Sequence, residues 1–215
     1  MSRDDLRERV ASRYASRFLR GYARGKIGID PVYHAVGERL SGQTLPLLDV
    51  GCGAGVLAVY LRESGMTVPI VGIDHDAAKI AHAESATAAY RDVRFISGDV
   101  RNLPDFLGSV LLIDVLHYVA GEDQRRLLED VVRRTAPGGV VLIREAVRDG
   151  TWHYRVAVIQ ETLSRLVRWL KAERLHFASR DEIVAPFRDA GFSADVVPMW
   201  GGTPFNNYLF VFRRE

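Results

Sequence analysis

The chain has 215 residues, 47% of them apolar and 26% charged, enough for one globular domain with a sizeable core that needs neither metal nor cross-link. Its net charge of +2 is too small to argue for nucleic-acid binding, its single cysteine, Cys52, excludes an internal disulfide, and no Cys/His cluster has metal-ligand spacing. No apolar stretch reaches the roughly 18 residues of a membrane helix, and the charged start, Ser2 to Asp5, is unlike a signal peptide, so the expected compartment is the cytoplasm.

From Met1 to Lys26 there are seven arginines and one lysine against three acids. This basic stretch reads either as a solvated helix face or as a surface that meets something acidic. Leu6, Val10, Tyr14, Phe18 and Tyr22 recur at helical spacing, which predicts one amphipathic helix interrupted at Gly25 and Gly28. A second helix is expected over Pro31–Leu40, with Asp30 as its N-cap and Pro31 at its first position.

Beyond a loop at 41–45, short apolar runs alternate with amphipathic helices, the pattern of a parallel sheet built from βαβ units. Strands are expected at 46–50, 69–74, 93–97, 110–116 and 139–144. Helices are expected at 55–64, 76–90 and 122–135, with a short turn near 103–107. The alternation stops after Glu145. An insert follows in which Ile159, Leu163, Leu166, Val167 and Leu170 form an apolar stripe opposite Arg165, Arg168, Lys171 and Arg174, a basic amphipathic helix. A helix at 180–190 and two strands at 194–199 and 208–213, reading as a closing hairpin, complete the chain. The division expected is a helical cap over 1–45 and a domain over 46–215 with a helical insert near 146–179.

The most informative run is Leu47-Leu48-Asp49-Val50-Gly51-Cys52-Gly53-Ala54-Gly55, a buried strand leading through a glycine turn into a helix. Glycines let the backbone bend sharply and a ligand approach it. The spacing G-x-G-x-G departs from the G-x-G-x-x-G of dinucleotide dehydrogenases. Asp49, two residues before the first glycine, is suited to holding the turn or a cationic ligand and is a poor neighbour for pyrophosphate.

Here the sequence resembles the class I methyltransferases, whose first motif is matched by Asp49, Gly51, Gly53 and Gly55, with Cys52 inside it. The resemblance spans Leu47 to Glu145. It implies an α/β, Rossmann-like fold with a seven-stranded, mostly parallel sheet, a C-terminal antiparallel hairpin, helices on both faces, an N-terminal helical cap and a helical lid after the fifth strand. It also implies S-adenosyl-L-methionine as cofactor and S-adenosyl-L-homocysteine as product.

The resemblance assigns Asp74 to both ribose hydroxyls and places His75 against the adenine, where the alternative is a half-exposed loop histidine. Asp99 and Val100 would read the adenine, unless Asp99 caps a short helix. The main chain at Ile113 would hold the methionine amino group, with Asp114 and His117 facing the sulfonium and the acceptor. For the methionine carboxylate the N-terminal candidates are Arg17, Tyr22, Arg24 and Lys26.

Methyl transfer is an in-line displacement, so alignment and exclusion of water matter most. A neutral oxygen or ring carbon also needs a base, and histidine is suited to that near neutral pH. His117 is the first candidate; His153 and His176, flanking the insert helix, come next, and each also reads as a packed or surface histidine. Asp114-Val115-Leu116-His117 stands where methyltransferases of nucleic-acid amines carry Asn/Asp-Pro-Pro-aromatic, which argues against nucleic acid as acceptor. Trp152, Tyr154 and Trp169 with the apolar stripes suggest a hydrophobic or aromatic small molecule, or they seal the lid. The basic faces permit an acidic acyl carrier protein or peripheral contact with an anionic membrane.

Tyr22 to Lys26 and Thr203 to Asn207 also resemble small-molecule methyltransferases of bacterial aryl-polyene pigment pathways, which implies a phenolic, carrier-bound acceptor. Competing readings are an NAD(P)-dependent Rossmann oxidoreductase and a catalytically inactive methyltransferase fold serving as a binding subunit.

Overall fold

The computed structural model describes residues 2–148, 175–199 and 206–215. By its internal packing the chain divides into two compact units, Met1–Leu111 and Leu112–Glu215. The first holds helices α1 (Arg3–Ser12), α2 (Arg17–Ile29) and α3 (Val32–Arg39), then β1 (Leu47–Val50), α4 (Val56–Glu63), β2 (Ile70–Asp74), α5 (Ala77–Thr87) and β3 (Val93–Ser97). Strand β4 (Ser109–Ile113) straddles the boundary. The second unit holds a 3-10 turn (Leu116–Tyr118), α6 (Gly121–Arg134), β5 (Val140–Ala146), α7 (Arg180–Asp189), β6 (Ser193–Pro198) and β7 (Asn207–Arg213).

The strands form one seven-stranded sheet in the order β3-β2-β1-β4-β5-β7-β6. Strands β1, β2 and β3 pair in parallel, Leu47 opposite Ile70 and Ile70 opposite Val93. Strand β7 runs antiparallel to both β5 and β6, as the expected closing hairpin requires. The order turns outward in both directions from β1, and in open α/β sheets ligands bind at the carboxyl ends of strands at such a reversal.

Strands β1, β2 and β5 are buried along their whole lengths. That is why they appear in the sequence as continuous apolar runs and not as alternating ones. In the second unit Phe187 stacks on Phe212 at 3.9 Å and meets Phe192 edge-on at 5.6 Å, and each buried ring of this kind contributes about 2 kcal/mol by removal from water.

The N-terminus departs from expectation. The single helix through Tyr22 is two helices: α1 ends at Ser12, and Ser16 caps α2 by accepting the Leu19 N–H. The break also shifts the buried stripe by one residue: Phe18 and Tyr22, expected on it, are exposed, and α2 buries Leu19 and Ala23 instead. Gly25 and Gly28 do not interrupt; α2 runs through both to Ile29, as a glycine costs only about 1 kcal/mol within a helix. The expected cap shifts by one residue: Pro31 is the N-cap of α3 and Asp30 the C-cap of α2, although the Asp30 Oδ1 does accept the Val32 N–H at 3.1 Å.

Much of the basic excess is paired internally. Glu63, buried in α4, takes Arg9 at 2.5 Å and Arg13 at 2.6 Å, and the Tyr90 hydroxyl donates to it as well. Burial raises its pKa, but these three donors outweigh that and hold it below the ordinary range. Arg24 meets Glu8 at 2.6 Å and Lys26 meets Asp30 at 3.6 Å. No helix among the described residues is long and apolar enough to cross a membrane. The insert helix, with His153, Trp152, Tyr154 and Trp169, and the turn residues Thr203 to Phe205 lie outside the described residues.

Candidate cofactor and catalytic sites

In the first unit, β1 ends in a turn whose three glycines, Gly51, Gly53 and Gly55, have φ of 73°, 54° and 74°. This left-handed region costs other residues roughly 1–2 kcal/mol each. Gly55 is doubly required, since a Cβ there would lie 2.8 Å from the Ala83 Cβ. The Ile73 carbonyl accepts from the N–H groups of both Gly51 and Cys52, at 2.7 and 3.0 Å. Cys52 is buried.

Asp74, at the end of β2 and 6% exposed, locks the turn. Its Oδ2 accepts the Gly53 N–H at 2.9 Å and its Oδ1 accepts the Asp76 N–H at 2.9 Å. A carboxylate offers about four acceptor sites, so each oxygen keeps capacity for one further donor. His75 is 66% exposed with its Nδ1 3.5 Å from Asp74.

Asp49 is 3% exposed, and its Oδ2 has no hydrogen-bond partner among the described residues. The Gly53 N–H of the turn goes to Asp74. Burial, and then the neighbouring Asp74 charge, push the Asp49 carboxyl up to about 7. Two buried carboxylates beside a glycine turn favour a cationic ligand and repel a pyrophosphate.

One residue of this region escaped the sequence reading. The buried Tyr14, in the break between α1 and α2, donates its hydroxyl to the Ala54 carbonyl at 2.9 Å, tying the N-terminal segment to the glycine turn. Burial, with Tyr22 and Cys52 nearby, drives its phenol well above the ordinary range. Its signal was a hydroxyl on an apolar stripe, which must find a partner when buried. Asp99 is engaged by Arg101, whose guanidinium lies at 2.5 Å and whose N–H donates at 2.9 Å; the first of these chiefly holds its carboxyl below the usual range. No helix follows Asp99 among the described residues, so its alternative reading as an N-cap does not hold. Val100 is half-buried beside it. Tyr22 lies on the exposed side of α2, and Arg24 and Lys26 are ion-paired as described.

In the second unit, β4 stops at Ile113 rather than running to Leu116. Asp114 has φ 60°, the one non-glycine residue with positive φ among those described, a conformation short polar side chains tolerate best. Its N–H donates to the Arg144 carbonyl at 3.0 Å. The buried Arg144 side chain returns the contact, Nε to Oδ1 at 2.7 Å and a second bond to Oδ2. Asp114, expected to face the sulfonium, thus carries a bidentate arginine.

His117, in the 3-10 turn, is 6% exposed, and its Nδ1 lies 2.5 Å from Oε1 of Glu145, which is 1% exposed. The His176 N–H donates to the His117 carbonyl at 3.0 Å, so two of the three histidine candidates are adjacent. Arg144 and Glu145 went unread as site residues. Two consecutive charges closing an apolar strand were their signal, since a buried charge must be paired.

The sheet order, the glycine turn and the antiparallel closing pair are those of a Rossmann-like α/β fold. Residues 47–139 match the family described as "Methyltransferase domain". It is similar to carboxy-S-adenosyl-L-methionine synthase of Shewanella halifaxensis, 24% identical over 148 residues, which are 65% of this chain and 59% of that protein. The chain therefore spans about three-fifths of that relative's length. Its fold is shared with the magnesium protoporphyrin IX methyltransferase ChlM of Synechocystis, crystallised with bound SAH (TM-score 0.68, 17% identity, 98% of this chain and 93% of that one). It is shared also with the pyocyanin biosynthetic protein PhzM (TM-score 0.67, 18% identity, 95% of this chain and 60% of that one).

Proposed function

We propose that this protein binds S-adenosyl-L-methionine at the β1 glycine turn and transfers its methyl group to a small, hydrophobic or aromatic acceptor, releasing S-adenosyl-L-homocysteine. The observation that carries this reading is the pair of buried acids: Asp74, pinned by two backbone N–H groups with one acceptor site left on each oxygen, and Asp49, whose Oδ2 is buried without a partner among the described residues. Vicinal ribose hydroxyls match the first, each donating a charge-assisted hydrogen bond. A positively charged amino group matches the second.

The cofactor supplies an electrophilic methyl group. The chain supplies placement and proton transfer: Asp74 and the Gly53 region orient the nucleoside, and Asp99 with Val100 flanks the base, Asp99 sharing its carboxylate with Arg101. His117 accepts the acceptor's proton, with His176 and His153 as the other histidines to test. We further assign the acceptor to phenols, free or presented by an acyl carrier protein, on the likeness of Tyr22 to Lys26 and Thr203 to Asn207 to aryl-polyene pathway enzymes. The buried Asp49, two residues before the first glycine, disfavours the dinucleotide alternative, because a pyrophosphate on the turn would lie beside an acid already raised to about 7 by burial.

Calorimetric titration with S-adenosylmethionine, S-adenosylhomocysteine and NADH tests the reading. Micromolar or tighter binding of the two adenosyl ligands and none of NADH is expected; no adenosyl binding overturns it. With binding in hand, mass spectrometry of phenols and acyl-carrier conjugates incubated with S-adenosylmethionine identifies the acceptor, and absence of any methylated product with intact binding would favour a binding subunit.

A further inference from the structure

Strand β5 ends in Arg144 and Glu145, both buried. Neighbours in a strand point to opposite faces, and the two serve different partners: Arg144 grips Asp114, and Glu145 grips His117. The Glu145 carboxylate is organised around that histidine. Oε1 lies 2.5 Å from the ring Nδ1 and accepts the Ala146 N–H at 3.1 Å, while Oε2 accepts the backbone N–H of His117 itself at 3.3 Å. One carboxylate therefore holds both the ring and the main chain of the same residue.

The rest of the shell removes the ring's remaining freedom. Phe177 stacks on it at 5.5 Å with an 11° interplanar angle, and Tyr118 lies at 4.0 Å. The Gln124 amide donates to the carbonyls of Leu116, Val119 and His176 at 2.9, 3.1 and 2.5 Å, clamping the 3-10 turn to the segment before α7. Among the described residues, the titratable groups at the His117 ring are Glu145 of β5 and Tyr118, while His176 meets it through its backbone N–H. Glu145 is in direct contact with the ring.

We propose that Glu145 is a positioning residue that fixes His117 as the Nδ1–H tautomer and strengthens its Nε2 as the proton acceptor; this rests on the reading of His117 as the base in methyl transfer. In the step it assists, the acceptor's O–H proton moves to Nε2 as the oxygen's electron pair bonds the methyl carbon. The methyl–sulfur bond breaks with its pair left on sulfur. His117 becomes an imidazolium whose charge the Glu145 carboxylate stabilises across Nδ1–H, and the proton leaves Nε2, which is buried in the ligand-free chain, when the site opens to release the methylated product. The carboxylate orients the ring and sets its basicity, as second partners of functional histidines do.

The test separates charge from shape. Glu145→Gln keeps an acceptor for Nδ1–H and removes the negative charge. Long-range 1H–15N spectra of the full chain, assigned with His117→Gln and titrated without ligand, should show a protonated Nδ1 in the neutral ring. They should also show a protonation midpoint that falls by about one pH unit or more in Glu145→Gln. A wild-type ring protonated at Nε2, a ring that does not titrate, or a midpoint unmoved by the substitution overturns the proposal. The first two outcomes need no variant, so a poorly folded Glu145→Gln does not shelter it. These readouts use neither S-adenosylmethionine nor acceptor, whereas failure of the cofactor reading would show in calorimetry.

Discussion

The glycine turn of the first unit and the charge pairs of the second handle buried polar groups in different ways. At the turn, Asp74 is satisfied by backbone N–H groups within a short span of chain, Gly53 and Asp76, and Asp49 keeps an oxygen without a partner among the described residues. At the end of β5, Arg144 and Glu145 meet side chains from the residue after β4 and from the 3-10 turn, Asp114 and His117. The first arrangement leaves hydrogen-bonding capacity for a ligand; the second spends its capacity on holding protein groups still. Binding energy and rigidity are thus built from the same residue types, and what separates them is whether the partner is supplied by the chain.

Three substitutions probe this contrast. The largest effect is expected for Asp74→Ala: loss of two charge-assisted bonds should weaken S-adenosylhomocysteine binding about a hundredfold, ~3 kcal/mol, and lower thermal stability as well, because the Gly53 and Asp76 N–H groups lose their acceptor. Unchanged affinity by calorimetry would remove Asp74 from the cofactor site.

Arg144→Ala should cost stability and spare S-adenosylhomocysteine affinity. Breaking a buried pair from one side costs about 3–5 kcal/mol, but the Asp114 side chain is 33% exposed and rehydrates, so a loss of about 2 kcal/mol in urea denaturation is expected. A loss of affinity greater than the loss of stability would move Arg144 from the rigid region to the binding one.

Asp49→Asn gives the most specific effect, a change in pH dependence. The Asp49 carboxyl is raised from 3.8 to about 7 in the folded chain, so the folded state holds a proton that the unfolded state releases. Ligand-free stability from this group is therefore full below about pH 4 and declines as pH rises toward 7. A cationic ligand favours the ionised form and expels the proton. S-adenosylhomocysteine affinity should consequently rise between pH 5 and 7, by up to about tenfold per pH unit, before the ligand's own amino group begins to titrate near 8. Asp49→Asn should flatten both dependences; a slope that survives the substitution would assign it to another group.

The order of strands and helices from 46 onward, the closing antiparallel pair and the acids of the glycine turn follow from local features: continuous apolar runs, turn glycines, an acid at a strand end. Each depends on a few consecutive residues, and Asp49, Gly51, Gly53, Gly55 and Asp74 act within one βαβ unit. The break at Ser16 was not legible, because a capping serine and a helix-interior serine look alike without the neighbouring N–H groups.

Tertiary structure alone decided the rest. It gave the Gly53 N–H of the turn to Asp74, bound Asp99 to Arg101, spent much of the N-terminal basic charge on Glu63 and Glu8, and gave His117 its carboxylate. The physical reason is the same in each case. A charge in a sequence carries no record of its partner, and the energy of a buried charge depends almost wholly on which partner the fold brings within hydrogen-bonding distance.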